Sequence, residues 1–72
     1  MCVAVPAKVL EINGTRATVA VAGAKLQAQL ELVPEAVVGD YVLVHAGFAL
    51  QVMNAEEAEE TLALLEEARQ LA

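Results

Sequence analysis

The sequence predicts a mainly β fold, in which five short strands curl into a small barrel and one α-helix follows at the C-terminus. Three observations lead to this prediction. The chain has 72 residues, of which 58% are hydrophobic, and this is enough for one core but not for two. Five short runs with strand-like composition are separated by turn residues. From residue 54 onward the hydrophobic period changes from that of a strand to that of a helix.

The first two strands are predicted to form a hairpin. The runs VPAKVLEI (5–12) and TRATVAVA (15–22) are rich in β-branched residues and flank Asn13-Gly14, a dipeptide that accepts the positive φ angles of a tight turn. Pro6 lies just inside the first strand and has no N–H group to donate. It either marks an ordinary edge strand or keeps the leading segment out of the sheet. In the second case the segment from Cys2 to Val5 remains available to a partner.

The third run shows a strict alternation that predicts a half-buried strand. In AKLQAQLEL (24–32) the residues that point one way are Ala24, Leu26, Ala28, Leu30 and Leu32. After the irregular segment VPEAVVGD (33–40), the runs YVLVHA (41–46) and FALQVM (48–53) are divided by Gly47 and give the last two strands. Because an open sheet of five short strands would expose its edges, we expect it to close into a barrel.

The last predicted element is an amphipathic helix over residues 55–72, which joins the barrel of residues 1–54 in a single domain. One helical stripe carries Ala58, Leu62, Leu65, Ala68 and Ala72, widened by Leu64 and Leu71. Asn54 is the predicted N-cap, with Glu57 three residues later. The glutamates of the first turns lie near the positive end of the helix dipole, so the acidic run is interpreted as a solvated face. The sequence leaves open whether the helix covers an end of the barrel or projects as a partner-binding arm.

Charge and composition argue against nucleic acid and membranes as partners. The net charge is −6, and Lys8, Arg16 and Lys25 are the only basic residues before the helix; they are judged too few and too scattered for a phosphate-binding stripe. No apolar stretch approaches the roughly 20 residues that cross a bilayer, and the N-terminus lacks the features of a secretory signal. A single cysteine agrees with a reducing compartment. We therefore expect a cytoplasmic protein.

Cys2 is the first candidate functional residue. A free cysteine is often a small buried hydrophobe, but a residue at the chain terminus is tethered on one side only and fills a core poorly. Removal of Met1 is expected to leave the thiol and a free amine on the same residue. A thiolate binds iron, copper or zinc, but one thiolate does not complete a coordination sphere. Any metal that Cys2 holds is therefore expected to be shared with another protein.

His45 is the only histidine, and it is predicted to lie on the strand face of Tyr41 and Leu43. A lone histidine is more often a surface or hydrogen-bonded structural residue than a ligand. Together with Cys2 it could instead be a second ligand, a base that lowers the pKa of the thiol, or a hydrogen-bond partner of whatever the thiolate holds. Asp40 could orient the ring only if the backbone bends between the two residues. The sequence has no nucleophile elbow, oxyanion-hole glycines or four-ligand zinc pattern, so we do not expect a hydrolase or a structural zinc site.

Two segments resemble the signatures of the HypC/HupF family of hydrogenase assembly chaperones. They are MCVAVPAKV at the N-terminus and GDYVLVHAGFAL over residues 39–50. The similarity extends to the chain length and the acidic C-terminal helix, and so covers nearly the whole chain. It implies an OB-like β-barrel with a C-terminal helix, acting in the cytoplasm and not an enzyme by itself. One departure is Val3, where the family more often carries Leu or Ile, and this change is expected to alter packing against a partner rather than chemistry.

The resemblance also implies a cargo and partners. In complex with a HypD-type iron–sulfur protein, such a chaperone holds an iron centre that carries cyanide and carbon monoxide ligands, and brings it to the precursor of the NiFe hydrogenase large subunit. Cys2 corresponds to the family's essential cysteine, and His45 to its motif histidine, as a supporting residue or possible ligand. The expected partner-binding residues are Cys2, Val3, Ala4, Val5, Pro6, Gly47 and Phe48.

Two other interpretations are weighed against this one. An OB-type module for single-stranded nucleic acid would need stacking aromatics and a basic groove. A thiol-dependent redox protein would be expected to carry a resolving cysteine, and the sequence has one cysteine only.

Overall fold

The computed structural model describes residues 4–71, with side chains as far as residue 68. In chain order the elements are β1 (Val5–Asn13), β2 (Arg16–Val21), β3 (Ala24–Gln29), β4 (Tyr41–His45), β5 (Phe48–Met53) and α1 (Ala55–Leu71). The strands form a closed barrel in the order β1-β2-β3-β5-β4. The predicted fold class, a mainly β five-stranded barrel with one C-terminal helix, is confirmed. The narrower description as OB-like, and the division at residue 54 within one domain, stay predictions.

Three hairpin turns of two residues connect neighbouring strands, and each uses a positive φ angle. Between β1 and β2 the central residues are Gly14 and Thr15, since Asn13 pairs with Arg16; only Gly14 has positive φ, at 68°, which is the type II′ pattern. The hairpin is as predicted, but its two central residues are Gly14 and Thr15, one position later than the predicted Asn13-Gly14. The turns Ala22-Gly23 and Ala46-Gly47 have positive φ at both positions, as type I′ turns require.

The third strand is shorter than predicted and ends at Gln29. The Leu30 amide donates to the Thr15 carbonyl at 2.7 Å, which continues the β2–β3 register by one last hydrogen bond. Two successive turns follow, in which Val33 N donates to Leu30 O and Ala36 N donates to Val33 O. Leu30, Val33 and Ala36 are buried, so this segment supplies every third residue to the core. The predicted strand continuation to Leu32 is therefore wrong, and Leu32 is 61% exposed.

The barrel interior is filled by small aliphatic side chains from all five strands and the 30–36 segment. The buried cluster comprises Ala7, Val9, Ala17, Val19, Ala28, Leu30, Val33, Ala36, Val42, Val44 and Ala49. Register shifts at Leu10 in β1 and at Leu50 in β5 are β-bulges, which bend the strands around this core. Leu26 pairs with Val19 and so belongs to the inward face, yet it is 46% exposed, because β3 and β5 pair only at Gln29 and Phe48.

The helix packs against the barrel instead of projecting from it. Its N-cap is confirmed: Asn54 Oδ1 accepts from Glu57 N and Asn54 Nδ2 donates to Glu57 Oε1, both at 2.8 Å. Ala58 is completely buried, and Leu62 and Leu65 are half-buried. The predicted stripe is too wide. Leu64 is 65% exposed and Ala68 is exposed, while the Leu71 side chain and Ala72 lie outside the described residues.

Candidate functional site

The two signature segments meet at one end of the barrel. The start of β1 pairs antiparallel with β4, with Val5 opposite Val44 and Pro6 opposite Leu43. Ala4 precedes this pairing, and His45 follows it directly in the chain. His45 in turn pairs with Phe48 across the Ala46-Gly47 turn. Residues far apart in the sequence are thereby placed side by side.

The predicted site residues divide into those that the structure places and those that it does not. Cys2 and Val3 lie outside the described residues. Ala4 and Val5 are half-buried, while Gly47 is exposed and the Phe48 side chain is 44% exposed. The described part of the site is therefore a small apolar surface on either side of the β4–β5 turn.

Pro6 does not keep the leading segment out of the sheet, and the expectation that Val5 remains free is wrong. Val5 and Pro6 both lie in β1 and pair with β4, and Pro6 is fully buried. The Val9 amide donates to Asp40 O, on the β4 side, at 2.8 Å. Backbone amides along an antiparallel strand point alternately to its two sides, so the nitrogen of Pro6, three residues earlier, points away from β4. The missing N–H therefore faces the side on which β1 has no pairing with β2 before Lys8. A proline at this position therefore removes no hydrogen bond between strands.

His45 lies on the predicted face of β4. Val42 and Val44 are buried, and Tyr41, Leu43 and His45 are half-buried. Asp40 does not orient the imidazole, because its Oδ2 accepts from the Val37 amide at 3.0 Å in the preceding turn. Within residues 4–71 the His45 side chain has no hydrogen bond or ion pair. No hydrogen bond within the described residues fixes the orientation of the ring.

Gln29 anchors the β4–β5 turn, and the sequence gives no sign of this role. Its amide donates to the Gly47 carbonyl at 2.8 Å, and the residue forms the single parallel pairing with Phe48. Gln29 appears in the sequence only as one polar member of an alternating run. The only hint of this role is the general requirement that the edge strands of a sheet must pair to close a barrel, which does not say at which residue they do so.

The helix brings two leucines to the same end of the barrel. A shallow cleft of about 150 Å³ separates α1 from the strands, and it is lined by Val5, Val21, Ala22, Leu62, Leu65 and Glu66. The helical period identifies Leu62 and Leu65 as members of an apolar stripe, but the period alone does not say which surface the stripe covers. The structure places it beside Val5, the first strand residue of the N-terminal signature.

Two absences concern the described residues only. In this part of the chain, no three His, Cys, Asp or Glu side chains lie together in a way that could hold a metal ion. In the same part of the chain, no helix is both long enough and apolar enough to cross a bilayer. The cytoplasmic location stays a prediction.

Comparison with known proteins identifies the family. The sequence model of the HupF/HypC family matches residues 1–65. The chain belongs to the HupF/HypC family. The match contains both signature segments, so the resemblance seen in the sequence is confirmed.

Individual HupF/HypC relatives are similar over most of their length. The hydrogenase maturation factor HypC of Cupriavidus necator is 43% identical, over 93% of this chain and 76% of the relative. The proteins of the same name from Azotobacter chroococcum and Escherichia coli K12 are 42% and 40% identical, over 100% and 92% of this chain and 87% and 80% of those proteins. Their names describe maturation factors and not catalysts. On that ground the prediction that the chain is not an enzyme is confirmed.

Proposed function

We propose that this HupF/HypC chain is a hydrogenase maturation chaperone. Together with a HypD-type iron–sulfur protein, it holds an iron centre carrying cyanide and carbon monoxide ligands through Cys2, and delivers it to the precursor of the NiFe hydrogenase large subunit. The family match and the names of the relatives support the general role. The observation that supports the site is the meeting of the two signature segments, with β1 paired to β4 beside His45.

The proposal places the cysteine at the barrel end that carries His45 and Phe48. Ala4 adjoins the strand pair Val5 and Val44. Covalent geometry allows about 3.6 Å per residue, so the Cα atom of Cys2 is tethered within about 7 Å of that of Ala4. We propose that on so short a tether the thiol enters the site of another protein while the barrel end beside Ala4 is docked there.

The chemistry of the cargo suits a single thiolate. A thiolate is a soft ligand, and iron accepts such ligands, but one sulfur leaves most of the iron coordination sphere to be supplied from elsewhere. We assign the cyanide and carbon monoxide ligands to the cargo itself and the remaining contacts to the partner. Delivery is then an exchange of ligands between proteins that are in contact. His45, whose ring has no hydrogen bond within the described residues, supports the cargo or the thiol by donating or accepting a hydrogen bond.

The apolar surface around the turn is assigned to the partner. Phe48 is one of only two large aromatic residues in the sequence, and 44% of its surface is exposed. Exposed aromatic side chains at the centre of a small apolar surface are the usual anchors of protein interfaces. Gly47 and Ala4, at the same barrel end, allow the partner backbone to approach closely.

The test replaces the proposed ligand and follows the cargo. Cys2→Ser is expected to keep the fold and to abolish the iron that co-purifies with the HypD-type partner, together with its cyanide and carbon monoxide infrared bands. Ala24→Ser, which adds a hydroxyl at an exposed position of β3 and keeps the thiol, is the control and should retain both. Intact mass spectrometry should show that Met1 is absent from the loaded protein. Infrared bands at the wild-type level in Cys2→Ser would exclude the thiol as a ligand.

A further inference from the structure

The outward face of strands β1, β2 and β3 gathers nearly all of the basic residues. Cross-strand pairing arranges this face, called here the basic face, in three rows: Lys8, Ala20 and Lys25; Glu11, Thr18 and Gln27; Asn13, Arg16 and Gln29. Three of the four basic residues of the sequence lie on it, against a single carboxylate. The other nine acidic residues lie elsewhere in a chain whose net charge is −6. Cations that are far apart in the sequence thus share one face of the sheet, while the judgement that they are too few and too scattered for a phosphate-binding stripe stays a prediction.

The bulge in β1 is what assembles the basic face. Side chains of a regular strand alternate, so Lys8 and Glu11 would point to opposite faces. The register shift at Leu10 brings Glu11 opposite Thr18 while Lys8 remains opposite Ala20, and Thr18 and Ala20 share a face because they are two residues apart in β2. The extra residue thus turns the second half of β1 so that its polar side chains join Lys8.

The cations of the basic face are not used inside the molecule. None of Lys8, Arg16 and Lys25 forms a hydrogen bond or an ion pair from its side chain within the described residues, although the sequence contains ten carboxylates. Arg16 lines a polar groove of about 430 Å³, together with Glu11 and Gln27 among others. The Gln27 amide already donates to Thr18 Oγ1 at 2.9 Å, whereas the Arg16 guanidinium has no such partner in the described residues.

We infer that the basic face docks an acidic segment of the maturation partner; the inference rests on the proposed function. Charge complementarity favours this occupant. Among the described residues, the glutamates of α1 repel an acidic partner and the basic face attracts it, so these two charged regions together orient the chaperone. Cations that are not neutralised within the chain are available for this pairing.

Single-stranded nucleic acid fits the basic face less well. Such ligands bind by stacking successive bases on aromatic side chains along a basic groove. Two aromatic residues adjoin the face: Tyr41 pairs with Lys8 at the β1 margin, and Phe48 pairs with Gln29 at the β3 margin. Because they lie at opposite margins, no series of aromatic side chains follows the rows between them.

The experiment measures association of the chaperone with the purified HypD-type partner as a function of salt. Replacing Lys8, Arg16 and Lys25 together by Gln is expected to lower the association rate constant at low ionic strength by about tenfold or more, and to flatten its salt dependence. Lys25→Gln and Gln51→Glu form a matched pair, because both substitutions add one negative unit at an exposed strand position. Only Lys25→Gln should slow association.

Three results would overturn the inference. Association at the wild-type rate in the triple variant would exclude the basic face, and equal slowing by Gln51→Glu would reduce the effect to net charge. Competition by a mixed-sequence single-stranded oligonucleotide at the affinity of the partner would assign the face to nucleic acid. Failure of the proposed function is distinguishable from these, since the wild-type protein would then neither bind the partner nor carry its iron.

Discussion

At the scale of single residues, the candidate site contains a polar side chain that the fold does not engage in a hydrogen bond. His45 is placed by its backbone pairing with Phe48, and its ring has no hydrogen bond within the described residues. Asp40, the one nearby carboxylate in the sequence, is engaged by the Val37 amide. Within the described residues the imidazole thus forms no hydrogen bond that the fold requires, which leaves it available for the proposed role toward cargo or partner.

His45→Ala is expected to separate function from stability. Since a half-buried ring without hydrogen bonds is lost, the free energy of unfolding should change by less than about 0.5 kcal/mol. Iron co-purified with the HypD-type partner should fall clearly, and thermal unfolding combined with iron analysis of the complex measures both quantities. Gln51→Ala, at an exposed position of the neighbouring strand, is the control. Parallel losses of melting temperature and iron would make His45 a structural residue.

A second prediction at this scale concerns the turn at Ala22. Ala22 has a φ of 49°, in the left-handed region that costs an L-residue with a Cβ about 1 kcal/mol or more. Type I′ turns favour Asn followed by Gly, and Gly23 is already in place, so Ala22→Asn should stabilise the protein by about 0.5–1 kcal/mol. Ala22→Val should destabilise it, because a branched side chain tolerates this region worst. Urea unfolding of the two variants should give opposite signs, and a loss of stability in Ala22→Asn would contradict the strain argument.

At the scale of elements, the helix links the stability of the fold to the site. Ala58 is completely buried against the barrel, and the next turns place Leu62 and Leu65 beside Val5. The capping contacts between Asn54 and Glu57 define where the helix begins. A change at the cap should therefore reach the cleft next to the N-terminal segment.

Asn54→Ala tests this link. It removes the acceptor of the Glu57 amide and the donor to the Glu57 carboxylate, and loss of an N-cap costs about 1 kcal/mol. Urea unfolding should show this loss together with a small decrease in helical circular dichroism. Asn54→Ser, which retains a capping oxygen, should keep most of the stability. Equal stability of wild type and Asn54→Ala would mean that the first turn is held by packing at Ala58 alone.

Elements whose signals are local were predictable from the sequence, and elements decided by distant contacts were not. The helix begins where Asn54 and the change of period place it. The end of β3 was missed because the alternation runs on to Leu32, whereas the chain turns after Leu30 and buries Val33 and Ala36 in the barrel core. Likewise the alternation identified the face of His45, but no pattern indicates that Gln29 would anchor its turn.

At the scale of the whole molecule, charge is separated between the acidic helix and the basic face. The sequence shows the acidic run at once, because its members are adjacent. It does not show the basic face, because Lys8, Arg16 and Lys25 come together only through the β1–β2–β3 register and the bulge at Leu10. Composition thus predicts the net charge of the protein but not the direction in which it attracts a charged partner.

The barrel is closed asymmetrically, and this property also belongs to the whole molecule. β1 pairs with both β2 and β4 over several residues, whereas β3 and β5 meet only at Gln29 and Phe48. In an antiparallel ladder alternate residues donate to the neighbouring strand. The Gln29 amide donates to the Gly47 carbonyl of the β4–β5 turn. The amides of Lys25 and Gln27 therefore point to the same side of β3, and the register gives them no acceptor on a neighbouring strand there.

Hydrogen exchange of the free protein should therefore alternate along β3. The Leu26 and Ala28 amides face β2, within the β2–β3 pairing, and should exchange slowly, as should the Gln29 amide. Lys25 and Gln27 should exchange at least about tenfold faster than Leu26 and Ala28, because an amide without a strand partner needs no opening of the barrel. Backbone NMR resolves each position. Equal protection of Gln27 and Leu26 in the monomer would show that β3 and β5 pair beyond Gln29 in solution, and the exposure of Leu26 would then need another cause.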